Sequence, residues 1–401
     1  MKRCMSLLAL TVLLAAFFPA QAASRPFTRT TSDYFGTVSM LCLYSDEGAE
    51  EIWRAVKDLL QEIDEAVSVS RPGSDIARLN EAEAGTAVPV SALTADLWQR
   101  AREVHDLTGG RYDPTVFPLV DLWGFSPRFN QSAVSPLLPY DRPMKDGHPV
   151  PPAKEDVAAL LPLVGMEGFV LMEQEGQWLI RKDTPDVTVA GTPIRAQADL
   201  GGIAKGYACD RVAALLKGRG ITEGYFVCGG SSMVFLSRPE DGSFSVAAGK
   251  PRPGKNEGND YASFSARDTA LSTSSDISHA YRGEDGQLYC HIIDPRTGFP
   301  LNTAGEAGAQ TGAASVTLLS ESAALGDALT TALCLMGPEA ALSFLSGREE
   351  KMVMAVCSAD REEIEVVTNL DWDRLSLLDE AYVPASVREE DGIFRYTHPS
   401  F

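Results

Sequence analysis

Helical and strand periodicities follow one another along this chain in no fixed β-α-β order, and that irregularity constrains the fold most. Tyr34 to Tyr44 reads as a strand. Ala49 to Val67 sets Ile52, Trp53, Val56, Leu59, Leu60 and Ile63 on one helical face. A polar turn, Ser68 to Asp75, precedes a second helix, Ser91 to Leu107, with Ser91 as its candidate N-cap and Gly109-Gly110 beyond its end. Ser126 to Pro152 is proline-rich and reads as an irregular excursion. Val170 to Arg181 and Val187 to Leu200 alternate as strands do, and Ile203 to Leu216 is helical. Strand patterns return at Gly224 to Leu236, Phe244 to Gly249, Tyr261 to Ala266 and Leu288 to Ile293. Ser315 to Leu319 leads into an apolar helix, Glu321 to Met336, that Gly337 stops. Lys351 to Val356 and Glu363 to Thr368 form a closing hairpin, and the stretch from Asp371 is acidic and weakly patterned. No period of 20 to 50 residues repeats. The class expected is α+β, with mixed, largely antiparallel sheets and packed helices.

Of the 401 residues, 44% are apolar and 22% charged, which excludes a disordered or collagen-like chain. The net charge of −20 makes nucleic acid and anionic membrane surfaces poor partners, since both reward clustered bases. An anionic ligand needs local help from a metal, a helix end or a few placed bases. Residues 1–22 read as an export signal: Lys2 and Arg3, an apolar run from Met5 to Phe18, and Ala20-Gln21-Ala22 as a small-x-small cleavage site. The expectation is a soluble periplasmic or otherwise exported protein. The later cysteines, Cys42, Cys209, Cys228, Cys290, Cys334 and Cys357, form no CxxC pair, so a zinc or thioredoxin-like site is not indicated.

Several segments carry candidate chemistry. In 199–206, DLGGIAKG, two glycines stand at a strand-to-helix boundary, where helix N–H groups favour an anion and Lys205 adds charge. The same segment also suits a tight structural turn. In 324–332, ALGDALTTA, Asp327 and Thr331 share a helix face one turn apart, a sparse hard-oxygen site suited to Mg²⁺. The alternative is a carboxylate that caps a neighbouring loop. In 289–300, a strand ends in His291 and Asp294 before a Pro-Gly turn, and His279 lies twelve residues upstream of His291. Histidine is a general base near neutral pH, although a lone histidine also serves as a satisfied structural residue. Residues 111–125 form a proline-broken aromatic loop that walls a pocket or crosses under one. Residues 70–80 read as a solvated turn, and Gly229-Gly230 marks a close backbone approach or a bulge.

Together and in this order, SDIARLN (74–80), RYDPTVFPLVDLWGF (111–125), DLGGIAKGYACD (199–210), the Gly229-Gly230 pair, SHAYR (278–282) with HIIDPRTGFP (291–300), and ALGDALTTAL (324–333) are specific. The set resembles the ApbE family of FAD:protein FMN transferases, from about Tyr34 to Val367. The resemblance implies a T-fold-related flavin transferase domain over 23–370, interrupted by the 126–152 excursion and followed by an acidic extension, 371–401. It implies FAD as substrate with Mg²⁺, and transfer of FMN to a threonine of a partner flavoprotein in a membrane electron-transport complex, with release of AMP. Relatives that hydrolyse FAD to FMN and AMP, or a protein that only binds flavin, define the alternatives. Carried over by position, Asp327, Thr331 and the Gly202 carbonyl would hold the metal, with Thr330 nearby. Asp199 and Lys205 would contact FAD. Phe35, with Gly36 and Thr37 on a strand, would line its pocket. Asp113, Pro114, Thr115, Ile293 and Asp294 would face the cofactor. His291, or else His279, would deprotonate the threonine. Val227 and Ser231 depart from the Asn and Asp that many relatives carry around the glycine pair.

Overall fold

The computed structural model describes residues 26–126, 144–145, 148–189, 191–239, 242–252, 258–277, 279–301, 312–357, 364–390 and 393–397. The export-like segment 1–22 and most of the 126–152 excursion lie outside them.

Nine strands form the central sheet in chain order: β1 (Phe27–Thr31), β2 (Ser39–Leu43), β3 (Gly224–Cys228), β4 (Ser232–Phe235), β5 (Thr269–Ser275), β6 (Ser315–Ser320), β7 (Lys351–Val356), β8 (Ile364–Thr368) and β9 (Tyr382–Pro384). Every neighbouring pair is antiparallel except β8 with β9. Successive side chains on a strand point to opposite faces, and both faces here are covered. Phe226, Ala270, Val316, Leu318, Met352 and Met354 point into the core under the helices. Phe235, Leu271, Val353 and Val366 point the other way, against Phe244, Val246, Tyr261 and Phe264 of a three-stranded sheet. Burial on both faces is why KMVMAV and VVT read as continuous apolar runs.

The chain leaves the sheet after β2 and returns at β3. Between them lie the helices α1 (Ala49–Val67), α2 (Asp75–Glu81), α3 (Ala92–Leu107) and α4 (Gly201–Gly218); α5 (Ala323–Leu345) follows β6. Helix α1 buries Ile52, Trp53, Val56, Leu60 and Ile63, as its period requires. Ser91 caps α3 by accepting from the Thr94 N–H. Helix α5 lies on β5 and β6 and packs along α4. This is the α+β arrangement expected, with antiparallel sheets dominant.

Three details differ from the sequence expectation. Tyr34–Thr37 is a turn and not strand: Phe35 and Gly36 both have positive φ (55° and 62°), and the Phe35 N–H is taken by Asp64 at 3.0 Å. Helix α5 breaks at Gly337 (φ 72°, ψ 175°) but does not end there, because Pro338 is compatible with the first turn of a new helical segment. The chain beyond Asp371 extends the body: Leu375–Leu377 joins the small sheet and β9 the large one. Strands of three residues are too short to show a period.

Gly206 sets the approach of α4 to α5. A Cβ at this position would lie 2.1 Å from the Ala323 carbonyl oxygen, a backbone atom that cannot swing aside. Gly206→Ala should therefore force the two helices apart and cost about 3 kcal/mol or more, the upper range for overpacking. Equilibrium denaturation checks this; a stability within about 0.5 kcal/mol of wild type, the size of an ordinary surface substitution, would contradict it.

Candidate functional site

Buried polar contacts fix the segment that leads into α4. The Asn80 side chain pairs with Ala198 as a strand would, donating from Nδ2 to its carbonyl and accepting its N–H, both at 2.8 Å. Lys182, fully buried, donates from Nζ to the Asn80 and Ala196 carbonyls at 3.0 and 2.9 Å, and burial lowers its pKa to about 8. The next residue, Asp199, donates its N–H to the Pro114 carbonyl at 2.8 Å. Its Oδ1 accepts the Gly201 N–H at 2.7 Å, so the carboxylate sits at the N-terminal end of α4 beside exposed Gly201 and Gly202. Burial raises the Asp199 pKa, against the Gly201 N–H and Lys205, which lower it.

One turn into α4, the Lys205 Nζ donates to the Gly201 carbonyl at 2.9 Å and stands 3.6 Å from Asp327 Oδ2 on α5. That oxygen also accepts the Gly206 N–H at 3.0 Å. Asp327 is 4% exposed. Burial raises its pKa; Lys205 and the Gly206 N–H lower it, and the Ser232 hydroxyl beside it lowers it further without an aligned hydrogen bond. Burial likewise opposes the charge on Lys205, but Asp327, with Cys228 and Asp199, outweighs it and raises the ammonium pKa. Gly229 (φ 69°) lets the Lys205 stem pass, since a Cβ there would lie 3.3 Å from Lys205 Cδ. Further along α5, Ser274 of β5 meets Thr330 Oγ1 at 2.8 Å and Thr331 Oγ1 at 3.3 Å.

Among the described residues no three His, Cys, Asp or Glu side chains cluster closely enough to hold a metal. A cation at Asp327 would take its remaining ligands from hydroxyls, carbonyls, water and a ligand's own oxygens. That donor set suits Mg²⁺, which keeps waters and binds substrate phosphates. The residues present fit it: Asp327 is a buried carboxylate whose burial is only partly offset by its neighbours, and Thr331 supplies a hydroxyl four residues on.

His291 and His279 stand edge to face, ring centroids 5.2 Å apart at 87°. The His291 N–H donates to the His279 carbonyl at 3.0 Å, and His291 Nδ1 has no partner among the described residues. Burial, with the His279 ring and the Lys205 charge, lowers the His291 pKa to about 4, so its imidazole is neutral at pH 7. His279 is exposed.

A cavity of about 560 Å³ opens beside α4, lined by Phe35, Arg71, Asp199, Gly201, Ala204 and Lys205 among others. Of the residues expected to bind the cofactor, Phe35, Asp199 and Lys205 line it, and Asp327 stands behind Lys205. Others do not reach it. Asp113 accepts the Thr115 N–H and hydroxyl at 2.8 and 2.6 Å, and Thr115 Oγ1 accepts the Gly165 N–H at 2.7 Å, so both side chains are spent on holding the loop and its neighbours. Pro114 is buried, with its carbonyl on Asp199. Ile293 is core, and Asp294 caps its turn by accepting from Arg296. Asx caps and ligand-facing carboxylates look alike in a sequence. Arg71 was not expected: it pairs with Asp64 at 2.7 Å at the cavity, in a segment that reads as a solvated turn. A larger cavity, about 830 Å³, lies between Arg267, Glu321, Arg348 and Arg374; no candidate site residue reaches it.

The ApbE family model matches residues 35–356. The chain is 31% identical over 303 residues to the FAD:protein FMN transferase of Vibrio cholerae, covering 75% of this chain and 78% of that one. To the enzyme of the same name from Escherichia coli K12 it is 28% identical over 292 residues, covering 73% and 72%. The solved flavin transferase ApbE from Vibrio cholerae superposes with a TM-score of 0.66 at 26% identity, over 86% of this chain and 98% of that chain. The apo flavinyl transferase ApbE of Pseudomonas stutzeri gives 0.65 over 86% and 94%; at 23% identity it bears on the fold alone.

Lys205→Met should cost on the order of 3 kcal/mol at pH 7, because it leaves a buried carboxylate uncompensated. The folded-state pKa of Asp327, already raised, would rise further. The deficit is therefore full above that pKa and shrinks as pH falls toward 4, where protonation removes the charge. Denaturation at pH 7 and pH 4.5 checks this; a loss equal at both would mean that Lys205 acts by packing alone.

Proposed function

The chain belongs to the ApbE family, and from that premise we propose that it is an FAD:protein FMN transferase acting on an exported partner. In this reading it binds FAD, transfers the FMN half through its phosphate to a threonine hydroxyl of a flavoprotein, and releases AMP. Residues 1–22 support an exported, periplasmic setting. The observation that carries the reading is a convergence: the glycine-opened N-terminus of α4 and the Lys205–Asp327 pair stand together, and His291, a neutral imidazole, lies near enough to feel the Lys205 charge.

The N–H of exposed Gly202, at the start of α4, and the Lys205 ammonium suit the diphosphate, since helix termini and ammonium groups both favour phosphate charge. Arg71 adds a second cation at the cavity wall. Asp327, Thr331 and the Gly202 carbonyl would hold Mg²⁺, which when bound neutralises charge developing on the phosphoryl oxygens. Phe35 offers an aromatic face to a planar ring of FAD. His291 takes the threonine proton as the oxygen bonds to the FMN-side phosphorus. The bond from that phosphorus to the bridging oxygen breaks, and AMP carries the bridging oxygen away. With a pKa of about 4 the resting imidazole is a weak base. Burial, with His279 and Lys205, holds it low, and a bound diphosphate opposes Lys205 and strengthens the base where it is needed.

Purified protein mixed with FAD, Mg²⁺ and a peptide bearing an acceptor threonine tests this by mass spectrometry. We expect the peptide to gain the mass of FMN and AMP to appear. AMP without a labelled peptide would make the protein an FAD pyrophosphatase; neither product, with FAD bound, would leave a flavin carrier.

His291→Ala should lower transfer by about 10²–10⁴-fold, the usual worth of a general base, with FAD affinity kept. A loss in His279→Ala and not in His291→Ala would reassign the base. In the free enzyme His291 must be neutral, so kcat/KM should fall only as pH drops through about 4. An acid limb near 6.5, the ordinary histidine value, would contradict this.

A further inference from the structure

Tyr112 precedes the Asp113 cap and is 4% exposed. Its backbone is held, the N–H donating at 3.2 Å to Thr108 Oγ1, which itself donates to the Val104 carbonyl at 2.8 Å. Its ring lies under the Gly201-Gly202 turn: a Cβ on Gly202 would be 3.4 Å from Tyr112 Cε2. The hydroxyl is shielded from bulk water and has no hydrogen-bond partner among the described residues. Phenylalanine would pack equally well, and an unmade buried hydrogen bond destabilises the folded protein. Burial, with Asp327, Asp199 and Asp113 nearby, raises the phenol pKa well above its ordinary value, so the group stays protonated and can donate. The contact with Gly202 places the ring edge beside the candidate metal and phosphate site.

We propose that the Tyr112 hydroxyl is a ligand-binding group of this site, donating a hydrogen bond to a ligand oxygen held near Asp327 and Gly202. That oxygen belongs to a phosphate of the diphosphate or to a water on the bound divalent cation. The naming of these ligands rests on the flavin transferase reading; the unpartnered hydroxyl does not.

Tyr112→Phe removes the hydroxyl and keeps the ring. Ligand-free Tyr112→Phe should melt about 2 °C higher than wild type, because an unsatisfied group is gone. Calorimetric titration with Mg²⁺ alone, then with inorganic pyrophosphate or FAD at saturating Mg²⁺, reads the two sources separately. We expect a ten- to hundredfold loss of affinity in one of them, the worth of a hydrogen bond to a charged ligand. A loss in the Mg²⁺ arm assigns the contact to the metal's water; a loss only in the second arm assigns it to phosphate. Affinities within threefold of wild type in both arms overturn the proposal, while wild-type FMN transfer in the same preparation leaves the transferase reading standing. A wild-type protein that binds neither Mg²⁺ nor FAD overturns both.

Discussion

A carboxylate buried between two helices organises this molecule. Asp327 stands in a helix that is otherwise apolar, where an isolated charge would cost several kcal/mol. It is kept there by Lys205 and the Gly206 N–H, both from α4. That contact exists because residue 206 has no side chain, so α4 presses against the first turn of α5. The glycine, the amide and the ammonium all lie within the first two turns of one helix, and the same turns begin at the exposed Gly201 and Gly202. The packing of the helices and the assembly of an anion-binding end are thus one arrangement.

The remaining structure serves to hold that end still. The Asn80–Ala198 pairing and the buried Lys182 pin the extended segment leading into Asp199. The Pro114 carbonyl takes the Asp199 N–H, which ties the 111–125 loop to the same point. Ser274 fixes the two threonines of α5 against the sheet. For a chain of net charge −20, binding a dinucleotide needs concentrated local positive potential. Lys205, Arg71 and the N-terminus of α4 bring it to one cavity, while the overall acidity discourages non-specific polyanions.

Much of this was readable in the sequence. Asp327 stands out because it interrupts an apolar helix, and Lys205 because it follows a glycine pair at a strand-to-helix boundary. The helices α1 and α3 were marked by their period and by the Ser91 cap. The left-handed turn at Phe35 was not, since a bulky residue carries no sign of positive φ. The family resemblance turns Asp113, Thr115 and Asp294 toward the cofactor, whereas the two carboxylates cap their own turns and the Thr115 hydroxyl is shared between Asp113 and the Gly165 N–H. Arg71 was hidden in a polar turn that resembles any solvated one, and Tyr112 in a loop rich in aromatic packing residues. The strands after Asp371 depend on pairing with residues far away in the chain, which local pattern does not record.

The claim on which all of this turns is that the Asp327 carboxylate is the anchor of a divalent cation and its phosphate-bearing ligand. Calorimetric titration of Mg²⁺ into wild-type protein and Asp327→Asn, each saturated with FAD, tests it most directly. The amide keeps the shape and removes the charge. A fall in Mg²⁺ affinity of about a hundredfold or more, beyond what losing a group that only supports a ligand costs, is the expected result; equal affinities in the two proteins would contradict the account.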